Sequence, residues 1–358
     1  MIIKLENLTK KFGKTTAVSE LSLDIKDGEF VALLGPSGCG KTTTMLMIAG
    51  IYKPTGGKIV FDDKVVNQWA PKDRDVGMVF QSYALYPHMT VYQNLVYPLL
   101  LKKRPKEEMH REAQRVADLM GIGHLLERKP GQLSGGQQQR VALGRALIKK
   151  PKVLLFDEPL SNLDARLRIT MRSMIKKLQK DLGITSIYVT HDQVEAMTMA
   201  DRIAVMKDGI LQAFTEPEDL HDRPRTLFVA QFVGNPPMNL FEVDLMKENG
   251  EMFAVLSKDI LIKIPKNRLP KTEKTRIKLG IRPQDIHISS NGSIPAAINI
   301  VEPMGRDNLV LCQVNDLELQ FLEDPSNKIK PGNSINIEFE TDTLQFFDIE
   351  TELSLLWV

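Results

Sequence analysis

The chain has 358 residues, of which 42% are hydrophobic and 26% charged, and its formal net charge is +2. This length exceeds what one hydrophobic core usually supports, so two domains are expected, and the near-neutral charge gives no support for broad binding to nucleic acid or membrane surfaces. The two cysteines, Cys39 and Cys312, are too far apart in sequence to indicate a disulfide framework. No secretory signal or membrane span is recognisable, so a cytosolic protein is expected unless a partner holds it at a membrane.

Residues 1–30 are predicted to form short strands, because Leu21, Leu23 and Ile25 alternate with polar residues. Phe12 lies in this region, ahead of a glycine-rich loop. An exposed aromatic ring there would stack on a purine, as aromatic side chains stack on bases. Phe12 taken alone is also a plausible core residue, so two interpretations stand.

The glycine-rich loop follows an apolar run, Glu29–Leu34, that is typical of a buried strand, and it precedes a helical pattern that ends before Gly50. It matches the phosphate-binding pattern G-x-x-x-x-G-K-[ST]. Its residues are Gly35, Pro36, Ser37, Gly38, Cys39, Gly40, Lys41, Thr42 and Thr43. In such a loop the backbone N–H groups surround a phosphate, Lys41 reaches the β- and γ-phosphates and the Thr42 hydroxyl holds Mg²⁺. The alternative is a glycine-rich turn before a helix, which requires neither the lysine nor the threonine.

From Tyr86 to about Leu147 the pattern becomes helical. Within it Ser134 is placed to cap a helix whose first residues are two glycines. A capped helix start of this kind is a second N-terminus suited to phosphate, although one nucleotide already has its phosphates bound by the glycine-rich loop. The interpretation is that this helix start completes the nucleotide site of another copy of the chain.

Two further strands are predicted to end in reactive side chains. Val153–Phe156 is a continuous apolar run followed by Asp157 and Glu158. Asp157 is placed to hold the Mg²⁺ that bridges the phosphates, and Glu158 to polarise a water as general base. The next strand, Ile184–Thr190, ends at His191, which would hydrogen-bond the γ-phosphate or the attacking water. A lone histidine is often structural, but ligands of open α/β sheets bind at strand ends.

Together these elements resemble the ATP-binding-cassette ATPases, and over residues 1 to about 235 they occur in that family's order. The family's motifs correspond to Phe12 (aromatic loop), Gly35–Thr42 (Walker A), Gln81 (Q-loop), Leu133–Gln137 (signature), Val153–Asp157 (Walker B), Glu158 (catalytic acid), Ser161–Asp164 (D-loop) and His191 (switch). The sequences around Gln81 and the signature are similar to those of bacterial importers. Phe12 replaces the more usual tyrosine or tryptophan but keeps the capacity to stack.

The resemblance implies an α/β P-loop NTPase domain at 1–235, with a RecA-like core and a helical subdomain at about 87–150. The segment 236–358 contains short apolar runs and turn signals such as Asn291-Gly292, which predict a small β-rich domain. Two of its stretches, Gly280–Asp285 and Val301–Gly305, resemble the OB-like accessory barrel known as TOBE. In relatives this domain helps to hold a dimer and carries regulation.

For the site, the resemblance implies a head-to-tail homodimer with two ATP molecules, each between the Walker A of one subunit and the signature of the other. The residues contributed in trans would be Ser134, Gly135, Gly136, Gln137 and Asp164. Gln81 would sense Mg²⁺ and the γ-phosphate, so that Thr42, Gln81 and Asp157 form the metal site and Glu158, His191, Gln81 and Lys41 the catalytic group.

The importer resemblance also implies partners. Two membrane permease subunits would dock near Gln81–Thr90, where Tyr83, Tyr86 and Tyr92 form a candidate aromatic surface or, for at least one of them, part of the core. An extracytoplasmic binding protein would act indirectly, and the protein would lie at the cytoplasmic face of the membrane.

The linker Phe232–Asn239 resembles that of sugar and glycerol-phosphate importers, which favours a carbohydrate as the transported solute. Transport of an oxyanion, metal or polyamine is the alternative. A cassette ATPase that acts on nucleic acid or ribosomes is more distant, since such proteins usually carry two cassettes or a long coiled coil, together with basic surfaces.

Overall fold

A computed structural model describes residues 1–290 and 292–357 of the chain, so the turn predicted at Asn291-Gly292 lies partly outside the described residues. The chain divides into two compact units, Met1–Pro217 and Glu218–Val358. None of the helices in the described part of the chain combines the length and the apolar character that a membrane crossing requires.

The first unit alternates strands and helices. Its strands are β1 (Ile3–Phe12), β2 (Thr15–Ile25), β3 (Phe30–Leu34), β4 (Gly56–Phe61), β5 (Lys64–Val65), β6 (Val76–Val79), β7 (Val153–Asp157), β8 (Thr185–Thr190), β9 (Arg202–Lys207) and β10 (Ile210–Thr215). Its helices are α1 (Lys41–Ala49), α2 (Val91–Leu101), α3 (Lys106–Met120), α4 (Gly135–Leu147), α5 (Ala165–Leu182) and α6 (Gln193–Met199).

A six-stranded sheet in the order β10-β9-β3-β8-β7-β6 forms the centre of this unit. The strands from β9 to β6 are parallel, and β10 pairs antiparallel with β9 at one edge. Every residue of β3 and β8 is buried, as expected of parallel strands that are covered on both faces. The predicted α/β class with a mainly parallel sheet is confirmed.

A second, antiparallel sheet in the order β2-β1-β4-β5 contributes with α1 to the same hydrophobic cluster as β3, β7 and β8. The prediction of short strands over residues 1–30 is wrong in length, because β1 and β2 are 10 and 11 residues long. Register shifts between them interrupt the alternation of buried and exposed residues, which is why the sequence pattern indicates shorter elements.

Helices α2, α3 and α4 pack against one another where a helical segment was predicted. Gly144 on α4 allows their close approach, since a Cβ there would lie 2.9 Å from atoms of both Leu95 and Val116. A capping box at Thr90 and Gln93 starts α2. This helical segment connects β6 with the adjacent parallel strand β7, so it leaves the carboxyl end of β6 and returns to the amino end of β7.

The second unit is β-rich, as predicted, with two antiparallel five-stranded sheets around one hydrophobic cluster. One sheet has the order β13-β12-β11-β14-β20 and the other the order β15-β19-β16-β17-β18. The strands are β11 (Asn239–Glu248), β12 (Glu251–Ser257), β13 (Ile260–Ile264), β14 (Arg276–Ile281), β15 (Ile286–Ile288), β16 (Ile294–Pro303), β17 (Asn308–Val314), β18 (Leu317–Glu323), β19 (Ser334–Phe339) and β20 (Gln345–Phe347).

Two short helices, α7 (Pro217–Asp222) and α8 (Leu227–Phe232), precede these strands. Leu227 and Ala230 pack with Met238 and Phe347 in a small cluster of the second unit. The Arg282 guanidinium also donates to the Val233 carbonyl at 2.7 Å. The compact units therefore divide at residue 217, whereas the sequence places a domain boundary at 235.

Candidate nucleotide site

The strand order brings four of the predicted site segments to one edge of the six-stranded sheet. β3, β8, β7 and β6 are adjacent and parallel, so their carboxyl ends lie side by side. The glycine-rich loop follows β3, and His191 follows β8. Asp157 ends β7 with Glu158 directly after it, and Gln81 comes shortly after β6. Open α/β sheets bind ligands at this edge.

The glycine-rich loop has the compact conformation that the sequence predicts. Gly40 has a φ of +99°, and a Cβ at this position would lie 2.4 Å from the Ala17 carbonyl oxygen, so only glycine fits. The buried Lys41 amine donates to the carbonyls of Gly35 at 2.7 Å and Pro36 at 2.9 Å. The loop thus holds its lysine over its own concave backbone, where a phosphate group would replace these carbonyls as its partner.

Cys39 lies beneath this loop and is 2% exposed. Burial raises the pKa of its thiol, although the nearby Lys41 opposes the effect. The thiol therefore stays protonated at neutral pH and packs as a small apolar side chain.

Thr42 and Asp157, which are 115 residues apart in the sequence, come together in the fold. The Thr42 hydroxyl donates to Asp157 Oδ1 at 2.9 Å. Burial raises the pKa of Asp157, as does the charge of Glu158, while the hydrogen bond from Thr42 and the charge of Lys41 lower it. A hydroxyl and a carboxylate oxygen at this separation suit Mg²⁺, which binds few protein oxygens and takes phosphate oxygens as further ligands.

Glu158 and His191 form the second pair at this edge. His191 Nδ1 lies 3.1 Å from Glu158 Oε2, and the side chains are 57% and 21% exposed respectively. Glu158 has a φ of +42°, and its backbone N–H donates to the Val189 carbonyl at 3.0 Å. The carboxylate is therefore held beside an imidazole, in an accessible position at the end of β7.

Gln81 is joined to the D-loop, defined here as Ser161–Asp164. Its side-chain amide donates to Ser161 Oγ at 3.3 Å, and Asn162 donates to the Gln81 carbonyl at 3.0 Å. The sequence places Gln81 and the D-loop in separate motifs and does not predict this contact. No local sequence signal points to it, because the adjacency of β6 and β7 that brings the two segments together arises in the folded sheet.

The predicted signature residues begin α4 as expected. Ser134 Oγ accepts from the backbone N–H of Gln137, and the Gln137 side chain accepts from the backbone N–H of Ser134. A Cβ on Gly135 would lie 3.2 Å from Leu163, and one on Gly136 would lie 2.9 Å from Leu167. Within one chain, this helix start thus packs against the D-loop and the first turn of α5 rather than against the glycine-rich loop.

Phe12 ends β1 and is 45% exposed, which favours the stacking interpretation over the core interpretation. Its ring meets Tyr52 edge-on with centroids 5.4 Å apart, and Lys10 Nζ lies 4.9 Å from the Phe12 centroid. Lys10 precedes Phe12 by two residues in the sequence, whereas sequence reasoning missed Tyr52 as a neighbour. Tyr52 follows α1, and only the folded chain brings it to Phe12.

The aromatic surface predicted near Gln81–Thr90 is smaller than expected. Tyr83 is only 7% exposed, so for this residue the core interpretation is correct. Tyr86 is 36% exposed and Tyr92 is half-buried. The guanidinium of Arg145 donates to the Tyr83 and Ala84 carbonyls at 3.0 and 2.8 Å and so holds the backbone of this segment.

Comparison with protein-family models gives three matches. A model described as ABC transporter matches residues 18–161. Models described as MalK OB fold domain and TOBE domain match residues 234–286 and 279–347.

Several relatives are similar along nearly their whole length. The trehalose/maltose import ATP-binding protein of Thermococcus litoralis is 45% identical, over 98% of this chain and 98% of the relative. The osmoprotective compounds uptake ATP-binding protein of Synechocystis is 46% identical, over 99% of each chain. The sn-glycerol-3-phosphate import ATP-binding protein of Psychromonas ingrahamii is 44% identical, over 98% of this chain and 94% of the relative.

Among solved structures, a dimeric ATP-binding cassette in a post-hydrolysis state with ADP and Pi is 36% identical, with a TM-score of 0.54. The match covers 60% of this chain and 98% of that one. A component of an ABC transporter complex from Clostridium perfringens is 33% identical with a TM-score of 0.57, over 61% of this chain and 89% of that one.

Proposed function

The chain belongs to the family of ABC transporter ATP-binding proteins, and from this premise we propose that it is the ATP-hydrolysing subunit of an importer that takes up a carbohydrate through partner permeases. The observation that carries the proposal is the convergence of the glycine-rich loop, Asp157, Glu158, His191 and Gln81 at one edge of the sheet. Full-length similarity to import ATP-binding proteins supports it.

In the proposed reaction Lys41 and the backbone of the glycine-rich loop bind the β- and γ-phosphates of ATP. Thr42, Asp157 and Gln81 would hold Mg²⁺, which would supply positive charge to neutralise these phosphates. Glu158 accepts a proton from the attacking water. His191 lies 3.1 Å from the Glu158 carboxylate and orients the attacking water and the γ-phosphate. Phe12 stacks on the adenine.

The site requires a second copy of the chain. Ser134, Gly135 and Gly136 form a capped helix start that contacts the D-loop of its own chain, and it is free to meet the phosphates of a partner's nucleotide. Gln137 and Asp164 cap their own helices and would act from the same side. A dimeric structure of a similar cassette with ADP and Pi supports a dimer, and the head-to-tail arrangement is proposed because the signature of one chain would then complete the site of the other.

Carbohydrate is proposed as the solute because relatives named for import of trehalose, maltose and sn-glycerol-3-phosphate are 44–45% identical to this chain. A second candidate is an osmoprotective compound, since the relative named for that uptake is equally similar. Permease subunits would dock near Gln81–Thr90, where Tyr86 offers an exposed ring, and would hold the protein at the cytoplasmic face of the membrane. A binding protein outside the membrane would deliver the solute.

The test compares wild type with Lys41→Ala and Glu158→Gln in ATP-binding and turnover assays. Lys41→Ala should lose detectable ATP binding, because no other cation lies in the loop. Glu158→Gln should bind ATP but turn over about 100-fold more slowly, since a general base contributes that much or more. It should also accumulate as a dimer with ATP in size-exclusion chromatography.

Lys177→Ala on the exposed face of α5 is the matched control and should behave as wild type. Ordinary ATP affinity in Lys41→Ala would refute the phosphate-binding role, and turnover at the wild-type rate in Glu158→Gln would refute the general base. To distinguish the candidate solutes, each is added to proteoliposomes that contain the protein and its permeases, and the stimulation of ATPase activity is measured. A response to an osmoprotectant but to no carbohydrate would reject the first candidate.

A further inference from the structure

Arg168, on the first turn of α5, bridges two segments of the candidate site that are distant in sequence. Its guanidinium Nε donates to the Leu163 carbonyl and its Nη2 to the Ser161 carbonyl, both at 3.2 Å. Its Nη1 lies 3.8 Å from Asp192 Oδ2. One side chain therefore contacts the backbone of the D-loop and the residue that follows His191.

On the D-loop side, Arg168 holds a residue that contacts two predicted catalytic groups. The Ser161 hydroxyl donates to the Glu158 carbonyl at 3.0 Å and accepts from the Gln81 amide at 3.3 Å. The position of the Ser161 backbone thus affects both the turn that carries Glu158 and the side chain of Gln81.

On the other side, the residues flanking His191 are anchored in the interior. The Asp192 N–H donates to Thr190 Oγ1 at 2.9 Å, and Asp192 Oδ1 accepts from the Glu195 N–H at 3.1 Å. Thr190 and Tyr188 in turn donate their hydroxyls to the buried Glu195 carboxylate at 2.8 Å. Asp192 uses one oxygen to cap α6 and the other to face Arg168.

These contacts close a ring from Glu158 through Ser161, Arg168 and Asp192 to His191, and back to Glu158 across the 3.1 Å pair. We propose that Arg168 is a positioning residue that couples the D-loop to His191 and so keeps Glu158 and His191 in their reactive arrangement. The inference rests on the proposed function, in which these two side chains act on the attacking water.

The chemistry of the side chain supports this role. A guanidinium carries donors in a rigid planar fork and can bond several acceptors at once, whereas a lysine amine is a single point charge. An ion pair of 3.8 Å between side chains that are 37% and 29% exposed would by itself be worth little. The two backbone bonds distinguish Arg168 from a surface charge, because they fix its guanidinium on the D-loop with Nη1 facing the Asp192 carboxylate.

The experiment measures kcat and KM for ATP in the full-length protein. Arg168→Met should lower kcat about tenfold and leave KM within about twofold, because misplacement of reacting groups affects the transition state more than ground-state binding. Arg168→Lys should have a kcat between those of Arg168→Met and the wild type. Asp192→Asn still caps α6 and should lower kcat by less than Arg168→Met does. The double variant, Arg168→Met with Asp192→Asn, should be no slower than Arg168→Met alone, because both changes break one network.

Lys177→Ala, another basic residue on α5, should keep the wild-type kcat. The inference is overturned if Arg168→Met retains the wild-type kcat, if Arg168→Lys is fully active, or if the two changes multiply in the double variant. Should Arg168→Met fail to fold, Arg168→Lys and Asp192→Asn decide by the same criteria. Absence of ATPase activity in the wild type itself would refute the proposed function, whereas an active wild type with an equally active Arg168→Met refutes only this inference.

Discussion

At the scale of single residues, Asp157 meets two opposing requirements. Its carboxylate must be charged to hold a cation beside the phosphates, yet burial and the adjacent Glu158 raise its pKa. Such tension between stability and function is common where a site binds a charged ligand. Without a bound cation, the ionised Asp157 carboxylate is therefore unfavourable for the fold, and a cation bound beside the phosphates would neutralise it.

We expect Asp157→Asn to raise the melting temperature of the nucleotide-free protein at pH 8, because the amide still accepts from Thr42 but bears no buried charge. An acid whose pKa is raised on folding binds protons more readily in the folded state, so its ionisation destabilises the fold. That destabilisation disappears as the pH falls through the raised pKa toward the ordinary value of 3.8, and the gain should shrink accordingly.

Thermal unfolding at pH 8 and pH 5 without nucleotide checks this prediction. Asp63→Asn, a change to an exposed acid, should alter neither value. A lower melting temperature for Asp157→Asn at pH 8 would show that the carboxylate stabilises the free protein.

At the scale of elements, helix starts recur around the site. Ser134, Asp164 and Asp192 begin α4, α5 and α6, and each side chain accepts from a backbone N–H three residues later. Such a cap accepts a hydrogen bond from a backbone N–H group that has no partner within the helix. The positive N-terminal end of each helix dipole also attracts anions. The capped start of α4 lies against the first turn of α5, so two such ends face the same region.

Asp164 allows the cap to be separated from its charge. Asp164→Ala should lower the free energy of unfolding by about 1 kcal/mol, because it removes the cap of α5, whereas Asp164→Asn should change it little. If Asp164 also acts in trans through its charge, Asp164→Asn should still reduce ATP turnover. Denaturant unfolding and ATPase assays on both variants test this, and full activity in Asp164→Asn would limit the residue to its structural role.

At the scale of the whole molecule, the two units differ in architecture and in charge. The first is α/β and rich in basic residues, and the second is β-rich with more acidic than basic residues. The segment 218–235 packs with the second unit, through Leu227 and Ala230 against Met238 and Phe347. These contacts favour a boundary at residue 217, whereas the sequence predicts one at residue 235.

Truncation distinguishes the two boundaries. A fragment of residues 1–217 should bind ATP and stay free of aggregates without nucleotide, whereas residues 1–235 should aggregate more readily because Leu227 and Ala230 lose their packing partners. Light scattering and thermal unfolding of the two fragments measure the difference. A more stable, less aggregating 1–235 fragment would support the boundary at 235.

The sequence by itself determined the local features of this protein. The glycine-rich loop, the cap at Ser134 and the buried parallel strands were predicted correctly, because the residues that create each of them are contiguous or regularly spaced. The order of motifs along the chain also indicated the family.

The family resemblance implied that Thr42 acts with Asp157 and Glu158 with His191, but only the tertiary structure decided through which contacts these features meet. The order β3-β8-β7-β6 places Thr42 against Asp157 and Glu158 against His191, and strand order depends on how distant segments pack rather than on any local pattern. For the same reason Tyr83 lies inside rather than on the surface, and Arg168, an ordinary basic residue in the sequence, contacts both the D-loop and the segment of His191.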